Sequence, residues 1–393
     1  MRLAIYSDYA YRRGDGRLWA ELPVVMFLGR LADHFDAVTL VGRLDPRPGR
    51  WRHQVPDAVG FEPLPHYEAL SHPGDLLRVT IRSVRRFWRA LDHVDMVWLL
   101  GPHPLAPVFA ALAGLRGRRV ALGVRQDFPA YVRARHRRRR GLIAAATLLE
   151  ASYRVMARRY PTVVVGPDLA RRYRHAGRLL TSTVSLVSEA DLAGPEVSAA
   201  RSWNGELRVL SVGRLDAEKN PLLLADVLAS LLSRDPRWRL IVCGEGTLEA
   251  ALDERLRALG VRDRAELRGY VPVERGLAEL YRSSHALLHC SWTEGVPQVL
   301  LEAFAARLPV VATAVGGVAE AAGGGALLVP PGDAEAPARE LARLSSDSIL
   351  RERMIEAGFA RAREHTLEAE ARRVAHFLAQ DGRGVSGARH KRG

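Results

Sequence analysis

Ser291-Trp292-Thr293-Glu294-Gly295-Val296-Pro297-Gln298-Val299-Leu300-Leu301-Glu302 follows a short apolar run, His285 to Cys290, that reads as a buried parallel strand. The stretch runs on into an apolar-periodic segment through Phe304 that reads as a helix, with Pro297 suited to its first turn. Glu294 then falls at the carboxyl end of a strand, where open α/β sheets bind ligands. Glu302 stands eight residues on, about two turns along the helix. Both carboxylates are expected to face one crevice, beside helix-start amides able to hold an anion.

Working outward, strand-like runs alternate with helical patterns on both sides. Leu207–Val212, Arg239–Cys243, Ala265–Leu267, Val310–Thr313 and Ala326–Val329 read as further strands of the same sheet. In the first half, Leu3–Ser7, Ala37–Val41, Asp95–Leu100, Arg119–Val124 and Thr162–Val165 read as strands, and Leu18–Ala32, Leu76–Leu91, Leu105–Leu115 and Leu142–Arg159 as helices. The alternation predicts an α/β protein of two doubly wound, parallel-sheet, Rossmann-like domains facing across a cleft. The first spans 1–188, joined by a carboxyl-terminal helix at about 365–380; 189–205 reads as an aperiodic linker; the second domain spans 206–364; and 382–393 is a basic tail.

The 393 residues suffice for two such cores, and no stretch of 18 apolar residues is free of charge and proline. Cys243 and Cys290 both end apolar strands, as buried thiols of a reducing compartment do, and the reading is cytoplasmic. The net charge of +14 is uneven: residues 1–190 hold 31 Arg and no Lys against 16 acidic residues, a net of +15, and the remainder holds 27 basic against 28 acidic residues. A basic half attracts anionic partners or merely decorates solvated helices. Its densest run, Arg133 to Arg140, precedes the apolar Leu142–Leu149. It reads either as a patch for an anionic membrane surface, making the chain peripheral on the inner face, or as a solvated helix start. It lacks the interleaved aromatics of a single-strand nucleic-acid groove, so no nucleic acid is expected. No His/Cys cluster has metal-ligand spacing, and no metal is expected.

Leu210 to Pro221 reads as strand, glycine turn at Gly213, basic pair, helix start. Arg214 and Lys219 are five residues apart and could converge on one anion, the first as a planar fork and the second as a compact charge. Lys219 is informative, because Lys391 is the only other lysine; the plainer reading is a solvated loop cation. Gly244-Glu245-Gly246 is either a phosphate-side loop or a plain strand-to-helix turn. Gly14-Asp15-Gly16, after the first strand, would let amides approach a ligand.

Together these pieces resemble glycosyltransferase family 4, a branch of the GT-B retaining glycosyltransferases. The resemblance is carried by Gly213-Arg214-Leu215 with Glu218-Lys219-Asn220-Pro221, Gly244-Glu245-Gly246, Gly269-Tyr270-Val271, Glu294-Gly295-Val296-Pro297 through Leu301-Glu302-Ala303, and Leu308–Thr313 with Gly316-Gly317 and Glu320. It implies a retaining transferase moving a sugar from a UDP-, GDP- or ADP-sugar to an acceptor hydroxyl, lipid-linked or small, with no cofactor. Arg214 and Lys219 would hold the diphosphate, Glu302 the ribose, and Glu294 the donor sugar with amides near Gly295 and Val296. Tyr270 and Val271 would meet the base, and Gly16 would approach from the facing domain. Three positions depart from the pattern. Leu100 stands where a catalytic histidine is common, with His103 either its substitute or a loop cap. Arg125-Gln126-Asp127 replaces a His-Asp pair and keeps the Asp127 carboxylate. Arg307 replaces the glycine after the Glu302 helix. Two rivals remain: a GT-B epimerase or phosphorylase, and a non-catalytic basic module binding anionic lipid or nucleic acid.

Overall fold

A computed structural model describes residues 1–67, 73–135, 139–183, 185–273 and 276–380. Arg137 and Arg138 of the arginine run and the tail from 382 lie outside the described residues. The chain divides into two compact units. Unit 1 comprises Met1–Val165, Leu169–Ser182 and the chain from Glu370 on; unit 2 comprises Gly166–Asp168 and Thr183–Ala369.

In unit 1 the strands are β1 (Arg2–Gly14), β2 (Arg17–Ala20), β3 (Ala37–Asp45), β4 (His53–Gln54), β5 (Val59–Leu64), β6 (Met96–Gly101), β7 (Arg119–Val124), β8 (Thr162–Val165) and β9 (Leu179–Ser182). β1 pairs in parallel with β3 and β6, and the parallel ladder continues to β5 on one side and through β7 and β8 to β9 on the other. Apolar side chains such as Tyr6, Leu99, Phe109 and Tyr153 fill the space between sheet and helices. Strand β1 is irregular in a useful way. Tyr6 pairs with Val41 and the next pair is Ala10 with Arg43, so Ser7, Asp8 and Tyr9 oppose Gly42 alone. Such a bulge turns side chains out of the ladder, and here it frees Asp8.

Past the bulge β1 continues to Gly14 and folds back on β2 as a hairpin. Asp15 and Gly16 form its turn, with φ of 50° and 72°, the left-handed pair that a two-residue hairpin requires and that Asp-Gly supplies. This corrects two expectations. Gly16 sits at a hairpin tip rather than in a strand-to-helix loop, and the helix expected from Leu18 starts only at Val24.

In unit 2 the strands β10 (Leu207–Val212), β11 (Trp238–Cys243), β12 (Ala265–Leu267), β13 (Ala286–His289), β14 (Val310–Thr313) and β15 (Ala326–Val329) form a parallel sheet in the order β12-β11-β10-β13-β14-β15. The order reverses direction between β10 and β13, the switch point at which open α/β sheets leave a crevice beyond the strand ends. The helix Gln298–Ala305 follows β13.

Residues 189–205 correct the linker expectation: they belong to unit 2 and hold a 3-10 turn at Glu189–Asp191 and a short helix at Pro195–Ala199. They also finish the Gln298–Ala305 helix. Its terminal carbonyls lack partners within the helix. Ala193 N–H donates to Ala305 O at 2.8 Å, and the buried Arg201 guanidinium donates to Ala306 O at 2.6 Å and to Arg307 O. Burial lowers Arg201 to about 10. Arg307 does take the left-handed conformation, with φ of 52°. Its guanidinium is held by Ala193 O at 2.9 Å, by Glu356 at 2.7 Å, and over the Phe359 ring at 3.8 Å. Left-handed strain costs about 1 kcal/mol, while a charged hydrogen bond contributes about 1.5–3 kcal/mol. Arg307→Gly is therefore expected to lower stability by about 1–2 kcal/mol despite relieving the backbone, measured by urea unfolding; a stabilised glycine variant would show that the side-chain contacts contribute little.

Candidate active site

The loops after β10, β11 and β13 build the crevice end of unit 2. Backbone bonds lace the first two together: Gly213 N–H donates to Cys243 O at 3.0 Å, Leu215 N–H to Glu245 O at 2.9 Å, and Leu248 N–H to Leu215 O at 2.8 Å. They pass so close that a Cβ on Gly244 would lie 1.8 Å from Gly213 O. Gly244 N–H also donates to Gly269 O at 2.7 Å, drawing in the loop that carries Tyr270 and Val271. Tyr270 is exposed, and its N–H donates to Glu245 Oε1 at 3.3 Å. The Glu294 loop is braced from the other side, where a Cβ on Gly316 would lie 1.9 Å from Glu294 O.

Glu294 is the best-held carboxylate here. Its side chain is 8 % exposed. Lys219 Nζ, His289 Nε2 at 2.9 Å and Ser291 Oγ at 2.8 Å all donate to the same oxygen, Oε1. Burial by itself would raise this carboxyl, but the bonds from His289 and Lys219 outweigh it and hold the group at about 2. Among the described residues no partner falls on Oε2, so one oxygen stays available. His289 had no role in the sequence reading. A histidine ending a buried strand five residues before Glu294 was the available signal.

Arg214 does not converge with Lys219. It is 65 % exposed and pairs with Asp216 at 2.7 Å and with Glu218 on its own loop.

Glu302 has a different set of partners from Glu294. Tyr281 Oη donates to Glu302 Oε2 at 2.7 Å. The carboxyl lines a cavity of about 120 Å³ with Tyr281, Asp191, Val273 and Leu277. Burial raises Glu302 above the usual carboxylate range, against the Tyr281 bond and with help from Asp191. The two glutamates thus sit in separate settings rather than as a like pair.

In unit 1 the bulged Asp8 meets His103. His103 Nε2 lies 3.1 Å from Asp8 Oδ2, Tyr67 Oη donates to Asp8 Oδ1 at 2.6 Å, and Tyr6 Oη lies 2.7 Å from His103 Nδ1. Arg43 backs Asp8 at 3.5 Å. Burial works to raise Asp8, yet His103 and Arg43 hold it below its usual value. His103 is therefore not a surface residue, though it also caps the next helix: Leu105 N–H donates to His103 Nδ1 at 3.3 Å at the start of Leu105–Leu115. Asp8 escaped the sequence reading because nothing in Tyr6-Ser7-Asp8-Tyr9 announces a bulge. Asp127 stands apart from this cluster: it accepts from Ala130 N–H at 3.1 Å at the start of a helix and pairs with Arg172 at 2.6 Å.

The opposite shifts of the two glutamates are measurable. An acid whose folded-state value is raised is ionised in the unfolded chain before it is in the folded one, so stability falls as pH climbs from the ordinary glutamate range through the raised value. Glu302→Gln keeps an acceptor for Tyr281 and removes that loss. The ligand-free variant is expected to be more stable than the wild type at pH 7, with the gap closing towards pH 4 in urea titrations; a gap unchanged by pH would place the Glu302 charge in solvent.

The family model for glycosyl transferases group 1 matches residues 197–361. The chain is 38% identical over 159 residues to an exopolysaccharide phosphotransferase of Streptomyces coelicolor, covering 40% of this chain and 17% of that one. It is 30% identical over 319 residues to a D-inositol 3-phosphate glycosyltransferase of Salinispora arenicola, covering 71% of this chain and 67% of that one. It spans less than half the length of other curated relatives that it matches. Among solved structures, that of Anabaena Alr3699/HepE in complex with UDP and glucose aligns over 97% of this chain and 100% of that one, with a TM-score of 0.67 at 16% identity. That likeness is one of fold, the GT-B fold of two Rossmann-like units. With two thirds of the Salinispora relative covered at 30% identity, and the family model lying on the unit that holds Lys219, Glu294 and Glu302, the chain belongs to the glycosyl transferases of group 1.

Proposed function

We propose that the chain is a retaining transferase of family 4 that moves a sugar from a nucleotide diphosphate sugar to an acceptor hydroxyl. The observation that carries this reading is the Glu294 cluster, where a lysine, a histidine and a serine converge on one carboxylate oxygen beyond β10 and β13. A donor diphosphate competes with Glu294 for Lys219. When Lys219 turns to the diphosphate, His289 and Ser291 still hold Glu294, whose Oε2 accepts from a sugar hydroxyl. Glu302 takes the ribose, the backbone at Tyr270 and Val271 takes the base, and the amides at Gly295 and Val296 help with the sugar. Gly213 and Gly244 let the diphosphate approach the loops, and Arg214 leaves its acidic neighbours for it. UDP-glucose is the first donor to try, given the UDP and glucose held by the HepE structure.

In the reaction the bond from the anomeric carbon to the diphosphate oxygen breaks and its electrons stay on the diphosphate. The acceptor oxygen bonds to that carbon on the same face, and the acceptor proton passes to the departing diphosphate oxygen. Lys219 stabilises the charge that grows there. On the acceptor side, Asp8 and His103 hold the acceptor hydroxyl, and Asp127 supports the helix that starts beside it.

Removing one group that stabilises a developing charge commonly costs about 10²–10³ in turnover. Lys219→Ala is expected to lose that much kcat with a smaller change in donor KM, and Lys219→Arg to recover little. Calorimetry separates the glutamates: Glu302→Ala weakens free nucleotide diphosphate at least tenfold, and Glu294→Ala leaves it nearly unchanged while damaging transfer. Wild-type turnover in Lys219→Ala, or equal nucleotide losses in both glutamate variants, would sink these assignments.

The exposed Arg133, Arg139 and Arg140 support a peripheral site on an anionic membrane surface, the cytoplasmic face in this reading. Each cation near such a surface is worth about 1 kcal/mol. Arg139→Gln with Arg140→Gln is therefore expected to cut sedimentation with anionic liposomes at low salt about tenfold or more. Equal sedimentation of variant and wild type removes the membrane from the proposal.

A further inference from the structure

The helices Phe128–Arg135 and Arg140–Ala157 of unit 1 border an open hollow of about 660 Å³. Pockets of roughly 300–1,000 Å³ are the size that buries most of a small ligand. This one is apolar: Phe128, Val132, Leu142, Ala145 and Leu149 line it, and among the described residues no charged one does. Its serine, Ser152, already donates to Leu149 O at 2.7 Å. Leu142, Leu148 and Tyr131, all lining residues, are 44%, 73% and 46% exposed. Large apolar side chains gathered in the open around a hollow mark a binding surface.

Two further observations say what fills it. Pro104, in the lining, directly follows His103, the residue that meets Asp8. Tyr153, next to Ser152 on the cavity's own helix, accepts from His103 N–H at 3.2 Å. The apolar hollow and the polar cluster therefore share one wall. In addition, the chain beside lining residues Val132 and Leu142 exposes Arg133, Arg139 and Arg140, so an anionic group at the mouth is matched in charge. The chain's own tail is a poor occupant, since 382–393 offers only Val385 and Ala388 as apolar side chains and four basic residues that the arginines repel.

We propose that the acceptor is an anionic amphiphile: its apolar chain lies in this cavity, its phosphate faces the arginines, and its hydroxyl reaches Asp8 and His103. This names the acceptor class for the transfer proposed above and rests on that reading.

Octyl, decyl and dodecyl phosphate, titrated calorimetrically into the full chain below their micellar concentrations, test it. Each methylene taken from water contributes about 0.8 kcal/mol, or roughly fourfold in affinity. Affinity is expected to rise by about fifteenfold for each added pair of methylenes, with inorganic phosphate binding far more weakly. Ala145 is an exposed lining residue, so Ala145→Trp fills the cavity without disturbing a core. It is expected to flatten the series and weaken dodecyl phosphate at least tenfold, and Leu148→Ser, at an exposed position, to weaken it severalfold. A flat series in the wild type, or a chain-length dependence that survives both variants, overturns the inference. Hydrolysis of UDP-glucose by the wild type, run in parallel, separates the two ideas. Donor turnover with a flat series leaves a transferase with a polar acceptor. A steep series with no turnover of any nucleotide sugar leaves the cavity and removes the transferase reading.

Discussion

Three donors on one oxygen of Glu294 are the constraint around which unit 2 is arranged. A nearly buried carboxylate is costly unless charge and hydrogen bonds compensate it. Here the compensation comes from three places in the chain: Lys219 in the loop after β10, His289 at the end of β13, and Ser291 in the Glu294 loop itself. Each must arrive at the same point, so the loops must close tightly on one another. That is why Gly244 packs on the Gly213 carbonyl and Gly316 on the Glu294 carbonyl, at distances no side chain would permit. The strap at 189–205 serves the same end one step removed. By completing the carboxyl end of the Gln298–Ala305 helix through Arg201 and Ala193, it fixes the element that carries Glu302.

The parts of this arrangement that are local in sequence were legible. Parallel strands inside a sheet are near-continuous apolar runs, and β7, β8, β10 and β14 stand where those runs are. β5 was missed because Gly60, Glu62 and Pro63 interrupt it, as an edge strand allows. The paired glutamates were visible as a spacing, and Lys219 as one of two lysines in the chain. What was not visible depends on register or on distance along the chain. Asp8 acts only because a bulge lifts it from the ladder, and a bulge shows in pairing, not in composition. Arg201 looked like part of an aperiodic connection because its purpose lies about a hundred residues away.

The arginine excess of the first half divides in the same way. Several of these arginines finish local structure. Arg119 and Arg178 donate to Leu378 O and Phe377 O at 2.8 and 3.1 Å, at the end of the last helix, where cations suit the helix dipole. Arg43 backs Asp8 and lies over the Tyr67 ring at 4.2 Å. A planar fork that hydrogen-bonds and stacks at once explains why arginine and not lysine does this work. Charge counted from the sequence therefore overstates what is free to meet a partner, and the argument for an anionic ligand narrows to Arg133, Arg139 and Arg140.

The environments of the two glutamates also fix what each can do before any ligand arrives. Glu294 is held ionised by its donors, so it can only accept, and it accepts with the one oxygen its partners leave. Glu302 is pushed the other way by burial, so a charge there is compensated by the Tyr281 bond alone and only in part. A ligand that donates two hydroxyls to Glu302 supplies the missing compensation, and binding is then strongest where the free protein is least comfortable. The same logic runs in reverse at Lys219. Its charge is already matched by Glu294, so any anion that takes Lys219 must outbid a buried carboxylate that keeps two other donors. Were Lys219 to leave Glu294, His289 and Ser291 would remain on its Oε1, so the carboxylate would keep two of its three donors.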